Sequence, residues 1–284
     1  MEGGCAGKVT LKIQLFGGLH VWREGETDPI GLHEWRTCKC KQLLAILVSE
    51  RGEVVTQDKL IEWLWPHSGQ ERAVSSLRNR VSELRRVLEP SLKQGAQSRY
   101  IRTLRGGYRF DPPADCEIDS ERFERAYREG RALEGAGRGH EAVIHYERAA
   151  ALYLGDYLAE ERYEGWALAY QGRWRRIYWE LLTRLGECYA RLGQYRRAIA
   201  RVEQAIELEP TRSETVYRQL MGYYARLGDS AGMMRTYRRL QRMLAEFFAA
   251  KPSPETRALC EAIRTEKFNN NPCRSPSSCS FGPA

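Results

Sequence analysis

The run Tyr189-Ala190-Arg191-Leu192-Gly193 returns unchanged as Tyr224-Ala225-Arg226-Leu227-Gly228, 35 residues further on. A repeat of that length is one helix-turn-helix unit, which buries its apolar faces only by stacking on its neighbours. A weaker copy lies upstream, where Gly137, Ala142, Glu147, Ala149 and Leu152 align with Gly193, Ala198, Glu203, Ala205 and Leu208. Its offset is 56 residues instead of 35, which predicts a helical insertion between the hairpins. Small residues such as Ala142 and Ala198 let paired helices approach closely, and Pro210 is expected to start a further helix after a turn.

A different pattern occupies Ser68 to Phe110. Ser68 and Glu71 stand at capping-box spacing just after Pro66, and Pro90 ends the helical stretch, which predicts a helix over 70–89. Val74, Leu77, Val81, Leu84 and Leu88 recur at steps of three and four and define one buried face. The opposite face carries Ser75, Asn79, Ser82 and Arg86, with Arg78 and Arg85 flanking the stripe. Tyr100–Leu104 and Tyr108–Phe110 read as two strands joined by Arg105-Gly106-Gly107, so that 99–110 form a hairpin whose glycines permit positive φ. Residues 71–110 hold ten Lys or Arg and three Glu, a net +7 against +8 for the whole chain. A basic helix running into a basic hairpin is suited to DNA, with the helix in the major groove and Arg105 at the minor groove. A solvated amphipathic helix with an ordinary hairpin has the same charge.

The order of elements distinguishes the two. Lys39–Glu50 places Leu43, Leu44, Ile46 and Leu47 at helical spacing, and Thr56 can cap a second helix holding Leu60, Ile61 and Leu64. Three helices followed by a hairpin make a winged helix-turn-helix. Ahead of them Val9, Leu11, Ile13 and Leu15 alternate with polar residues, and Gly17-Gly18 turns the chain into a second alternating run, which predicts an antiparallel sheet.

The segments Leu77–Pro90 and Tyr100–Phe110 resemble the recognition helix and wing of the OmpR/PhoB-type effector domain of bacterial response regulators. That resemblance implies DNA contacts from Ser75, Arg78, Asn79, Ser82 and Arg85 on the helix and from Thr103, Arg105 and Tyr108 on the wing. The wing has one residue fewer between its glycines than is usual there. About eight residues precede the first strand, so no receiver domain is expected ahead of it. With the repeats, with Leu64-Trp65-Pro66, Asp156-Tyr157-Leu158 and Tyr163-Glu164-Gly165-Trp166, and with Pro252–Leu259, the chain is similar to the antibiotic regulatory proteins of actinomycetes, which join such a domain to a bacterial transcriptional activator domain with tetratricopeptide-like repeats. The resemblance runs from about residue 8 to 267. Glu246–Lys251 stands where that family has a short Leu-Gly-Val turn, so the last helical edge is expected to be remodelled.

The expected fold is mostly α with a small β component: a winged helix-turn-helix domain over 1–113, a tetratricopeptide-like domain over 114–268 and a disordered tail over 269–284. The boundary falls at Asp111-Pro112-Pro113-Ala114-Asp115, before Asp119 or Ser120 caps the next helix. A length of 284 residues suffices for two cores, and 42% hydrophobic residues with seven Trp exclude disorder over most of it. Met1–Gly7 lacks the basic start and apolar stretch of a secretory signal and no membrane segment is visible, so a cytoplasmic protein with reduced cysteines is expected. Cys38 and Cys40 form C-x-C beside His33 without the second pair of a zinc ribbon, so no metal is expected. Phosphate-loop, nucleophile-elbow and H-E-x-x-H motifs are absent, and neither catalysis nor a cofactor is predicted.

The function read from this is a sequence-specific transcription regulator, an activator by resemblance, with double-stranded promoter DNA as its partner. RNA polymerase and a homodimer on direct repeats are further partners implied by the resemblance. The alternative is a repeat-based interaction scaffold whose winged domain docks protein. Polar readers between the arginines favour the regulator.

Overall fold

In the computed structural model, which describes residues 10–269, the first alternating run forms β1 (Leu11–Gln14). It pairs antiparallel with β2 (His20–Arg23), Leu11 facing Arg23 and Gln14 facing His20. The turn between them uses Gly17 and Gly18 at φ +86° and +131°, values open to glycine at little cost. Val9, expected to begin this strand, lies outside the described residues, as do the first seven residues and the tail from Asn270 with Cys273 and Cys279. Asn269, expected to open the tail, is instead the last residue of a helix.

Thr37 accepts from the Cys40 amide and starts α1 (Cys38–Ser49), whose Leu43, Leu44, Ile46 and Leu47 are all buried. Thr56 does the same for Lys59 at the start of α2 (Gln57–Leu64), as expected. The third helix, α3 (Gln70–Leu88), begins without the capping box. Its N-cap is Gly69, and the Ser68 amide donates to Trp65 O in a turn, so Ser68 stands one position too early to reach the helix. The buried stripe is Ala73, Leu77, Val81, Leu84 and Leu88, joined by Val87, while Val74 is half-buried.

A second sheet has the order β3 (Val55–Thr56), β5 (Gly107–Phe110), β4 (Ile101–Leu104). The hairpin turns on Arg105-Gly106, and Gly106 alone takes a positive φ, +82°. Gly107 serves a different purpose. A Cβ there would stand 2.3 Å from Val55 O, so the missing side chain lets β5 approach β3.

After the wing the chain does not leave this assembly. Residues 111–115 carry it back to the first sheet, where β6 (Cys116–Ile118) lies parallel to β1 with Leu11 opposite Cys116 and Ile13 opposite Ile118. The whole winged motif is thus the crossover that a parallel pair requires. Neither Asp119 nor Ser120 caps α4 (Asp119–Gly135), whose N-cap is Ile118 without a side-chain bond; Asp119 is drawn to the sheet instead, its Oδ2 accepting from the Leu15 and Phe16 amides at 2.8 and 2.9 Å and its Oδ1 from the Ser120 amide. Burial pushes its carboxyl from 3.8 up to about 6, outweighing the backbone amides that hold it down. The folded chain therefore keeps a proton that the unfolded chain releases. The associated stability is complete below about pH 4 and is lost as pH rises through about 6, a swing of about 3 kcal/mol. The urea midpoint of the wild type should fall over that window relative to Asp119→Asn; parallel profiles for the two proteins would show that the carboxyl is ionised throughout.

The hairpin of α4 and α5 (Gly139–Leu152), a 3₁₀ turn at Ala159–Glu161 and the first half of α6 (Gly165–Arg191) pack on the winged motif. Phe16, fully buried, touches the rings of Tyr153, Phe123, Trp174 and Tyr157 at centroid distances of 4.9, 5.3, 5.4 and 5.9 Å. Backbone bonds run from Gly17 N to Asp156 O and from Leu158 N to Leu15 O. From α1, Gln42 donates to Glu161 at 2.6 Å and Ser49 bonds the Tyr157 hydroxyl at 2.8 Å, while Glu50, the C-cap of that helix, accepts from Tyr170 at 2.6 Å. The described chain accordingly divides into two compact units between Tyr178 and Trp179. The break in packing is not at Pro113, because β6, Asp119 and the aromatic cluster bind the following residues to the winged motif.

The second unit holds the end of α6 with α7 (Tyr195–Leu208), α8 (Glu214–Arg226), α9 (Ser230–Phe248) and α10 (Pro254–Asn269) around Val202, Ile206, Tyr217, Leu220 and Leu240. Pro210 does not start α8; it sits in the preceding turn, and its carbonyl accepts from Tyr217. Ala249, at φ +49°, ends α9 in the segment expected to be remodelled.

All three sequence repeats end their first helix in one way. Gly137 N donates to Glu134 O and Arg138 N to Leu133 O; Gly193 and Gln194 repeat this on Ala190 and Tyr189, Gly228 and Asp229 on Ala225 and Tyr224. The glycines take φ of +76°, +73° and +76°, the left-handed C′ position of a Schellman turn. Ala142 and Ala198 are fully buried as expected. Gly130 and Gly186 add close approaches, since a Cβ on either would lie 2.6 Å from Tyr146 or Val202. The insertion between the first two copies is the 153–164 connection and the long α6, with no extra hairpin.

Candidate nucleic-acid interface

Leu77, Val81 and Leu84 fix one side of α3 in the core, and helical geometry then decides what the other side presents. Ser75, Arg78, Asn79, Ser82 and Arg86 are all exposed on it. Arg72, one turn earlier, is exposed as well; it was missed because it precedes the Ser75–Arg86 row and only its charge distinguishes it. Arg80 faces elsewhere, donating to Thr37 Oγ1 and pairing with Glu83.

The wing is tied to this helix by Arg85. Its Nη2 donates to Ile101 O at 2.9 Å and to Thr103 Oγ1 at 2.7 Å, and burial pushes the guanidinium below its ordinary value. Arg85 and Thr103, both expected at DNA, thus bond each other across the α3–β4 junction and hold the hairpin to the helix. Arg105 stands exposed at the hairpin tip beside Gly106. Arg102 is exposed on β4 but lies 3.7 Å from Asp111.

Tyr108 departs from expectation. It is 5% exposed, opposite Thr103 in the ladder and next to Val55 in β3, so its ring belongs to the wing's core and does not reach solvent. Strand period places Tyr108 on the face of Phe110, which is also buried. That alternation was the available signal.

Cys38 is exposed, whereas Cys40 is buried with its thiol pushed up to about 12 by burial, so the pair does not converge. Among the described residues no group of three or more His, Cys, Asp or Glu is placed to hold a metal, and no helix is long and apolar enough to cross a membrane.

Comparison with known proteins places these parts. Residues 36–110 match the family model "Transcriptional regulatory protein, C terminal" and residues 118–264 match "Bacterial transcriptional activator domain". The transcriptional regulatory protein MoaR1 of Mycobacterium bovis is 29% identical over 261 residues, a stretch covering 89% of this chain and 79% of that protein. The regulatory protein AfsR of Streptomyces coelicolor is 27% identical over 255 residues, which cover 89% of this chain but 24% of AfsR. Among solved structures, Mycobacterium tuberculosis EmbR in complex with a low affinity phosphopeptide superposes with a TM-score of 0.77 at 27% identity. That match covers 90% of this chain and 65% of the EmbR chain. The winged helix followed in the chain by helical hairpins is therefore the make-up of a DNA-binding transcription regulator, and the chain belongs to the bacterial transcriptional activator domain family, as the actinomycete antibiotic regulatory proteins do.

Proposed function

We propose that α3 lies in the major groove of promoter DNA and reads its sequence, while Arg105 enters the adjoining minor groove and the bound protein activates transcription without catalysing a reaction. The observation that carries this is the exposed row Ser75, Arg78, Asn79, Ser82 and Arg86, held beside the exposed wing tip by Arg85. Arginines on phosphates set affinity and its dependence on salt, and Asn79 with Arg78 are the readers of base edges. The test is recovery of sheared genomic DNA at near-physiological salt, sequenced beside an Asn79→Ala, Arg105→Ala protein. A few promoter fragments sharing a repeated motif, lost in the variant, support the reading. Uniform recovery refutes it.

Arg105→Ala alone should weaken binding most on sites with a narrow minor groove, where the negative potential is greatest. Equal loss on wide and narrow grooves would reduce Arg105 to a phosphate contact.

Pro66, His67, Ser68, Gly69 and Gln70 are exposed in succession between α2 and α3. We assign this loop the contact with RNA polymerase, with a second copy of the chain on an adjoining direct repeat, in the cytoplasm. Exchanging the loop for a glycine-serine segment should abolish activated transcription in vitro while leaving DNA binding intact; unaltered transcription would remove the loop from the mechanism. In functional terms 1–113 would serve as the DNA-binding module and 114–268 as the activating one.

A further inference from the structure

Some surface arginines of the helical hairpins have an acid one turn away: Arg138 bonds Glu141, Arg212 bonds Glu209, and Arg218 lies 4.0 Å from Glu214. The closest group of arginines is on α9. Arg235, Arg238, Arg239 and Arg242 recur at steps of three and four, which places all four within about 100° on one flank of the helix, beside the buried Thr236 and Leu240. Arg235 lies 3.8 Å from Asp229, and Arg239 bonds the Tyr217 hydroxyl. Neither Arg238 nor Arg242 has a carboxylate partner among the described residues. Like charges at this spacing repel one another and weaken the helix that carries them. The stripe therefore gains most when an anion lies along it.

The four arginines form one wall of a groove of about 690 Å³ within the second unit. Part of its lining is apolar. Leu220 and the ring of Tyr224 lie there, and Gly232 gives the ring room, since a Cβ at that position would stand 2.4 Å from the ring edge. The far wall carries Glu203, which accepts from the Tyr224 hydroxyl. A nucleic-acid backbone suits neither the Tyr224 ring nor a carboxylate facing its phosphates. A peptide suits both: acidic side chains reach the guanidinium forks, an apolar side chain covers the Tyr224 ring, and a backbone amide can donate to Glu203.

We infer that the groove between α7 and α9 docks an acidic, amphipathic peptide segment of a partner protein. The partner is distinct from the DNA bound by α3, and its site uses none of the residues of that face.

The test uses the full chain and a fluorescent 12-residue peptide alternating Asp or Glu with Leu, followed by anisotropy at low salt. Arg238→Glu with Arg242→Glu should weaken binding by about tenfold or more, because two attractive contacts become repulsive. Arg78→Ala with Arg105→Ala, which alters only the DNA face, should leave peptide affinity within about twofold. If the double glutamate variant melts early, Arg238→Gln with Arg242→Gln removes the charge more gently and should show the same loss in smaller measure. Failure of the wild type to bind, or equal binding by wild type and groove variants, overturns the inference. So does a groove variant that loses random-sequence duplex DNA as strongly as it loses peptide, since the groove would then serve nucleic acid.

Discussion

A fragment ending at Pro113 is expected to fail to fold cooperatively, whereas one ending at Tyr178 should fold and bind DNA. Cutting at Pro113 removes β6 from its pairing with β1, the carboxylate that accepts from Leu15 and Phe16, and every ring around Phe16. Leu11, Ile13, Leu15 and Phe16 are at most 1% exposed in the intact chain. Uncovering side chains of this size costs roughly 1.5 to 3 kcal/mol each when exposure is complete, so even half of that removes several kcal/mol. Domains have only about 5 to 15 kcal/mol to lose. Urea unfolding followed by tryptophan fluorescence checks this: a sharp transition for the Pro113 fragment at the midpoint of the longer one would show that the winged motif stands without its supports.

Asn79→Ala should cost roughly 1 to 3 kcal/mol, about 5- to 150-fold in affinity, concentrated at one base pair of the preferred site. Asn79 lies on the outward midline of α3, between Ser75 and Ser82, with its side chain exposed. An amide in that position can donate to and accept from one adenine edge at once, which an arginine cannot do. Alanine keeps the helix, since the core stripe and its ties to the wing are untouched. Affinity measured on the preferred site and on each single-base variant gives the answer, and an unchanged profile across all of them would falsify Asn79 as a reader.

Much of this architecture was legible because it rests on periodicity. The α3 stripe, the α1 and α2 caps at Thr37 and Thr56, and the repeated glycine turns are local patterns, and local geometry reproduces them. Thr37 itself was not singled out, although its spacing to Cys40 is the same as that of Thr56 to Lys59. What escaped was set by distant partners. A strand of three residues behind two prolines has no alternation to detect, so β6 was invisible until β1 stood beside it. Phe16, Tyr157 and Trp174 read as separate apolar positions, and nothing in their spacing announces that they meet. The same holds within the site. The exposed positions of α3 followed from the helical period, while the capture of Arg85 by Ile101 O depends on how the hairpin folds back.

The helix α1 packs α3 through its apolar residues and, through Gln42, Ser49 and its C-cap Glu50, holds the 157–170 segment that follows the first helical hairpin. A ligand that binds only the folded state raises the free energy of every opening that disrupts its site, whichever residues take part in that opening. DNA bound to α3 should therefore slow amide hydrogen exchange in α4, in α5 and along the start of α6, although none of them carries a residue of the DNA face. Protection arriving there without contact makes residues up to Tyr178 part of the DNA receptor in the thermodynamic sense, and a partner that loosens them would weaken promoter occupancy from behind.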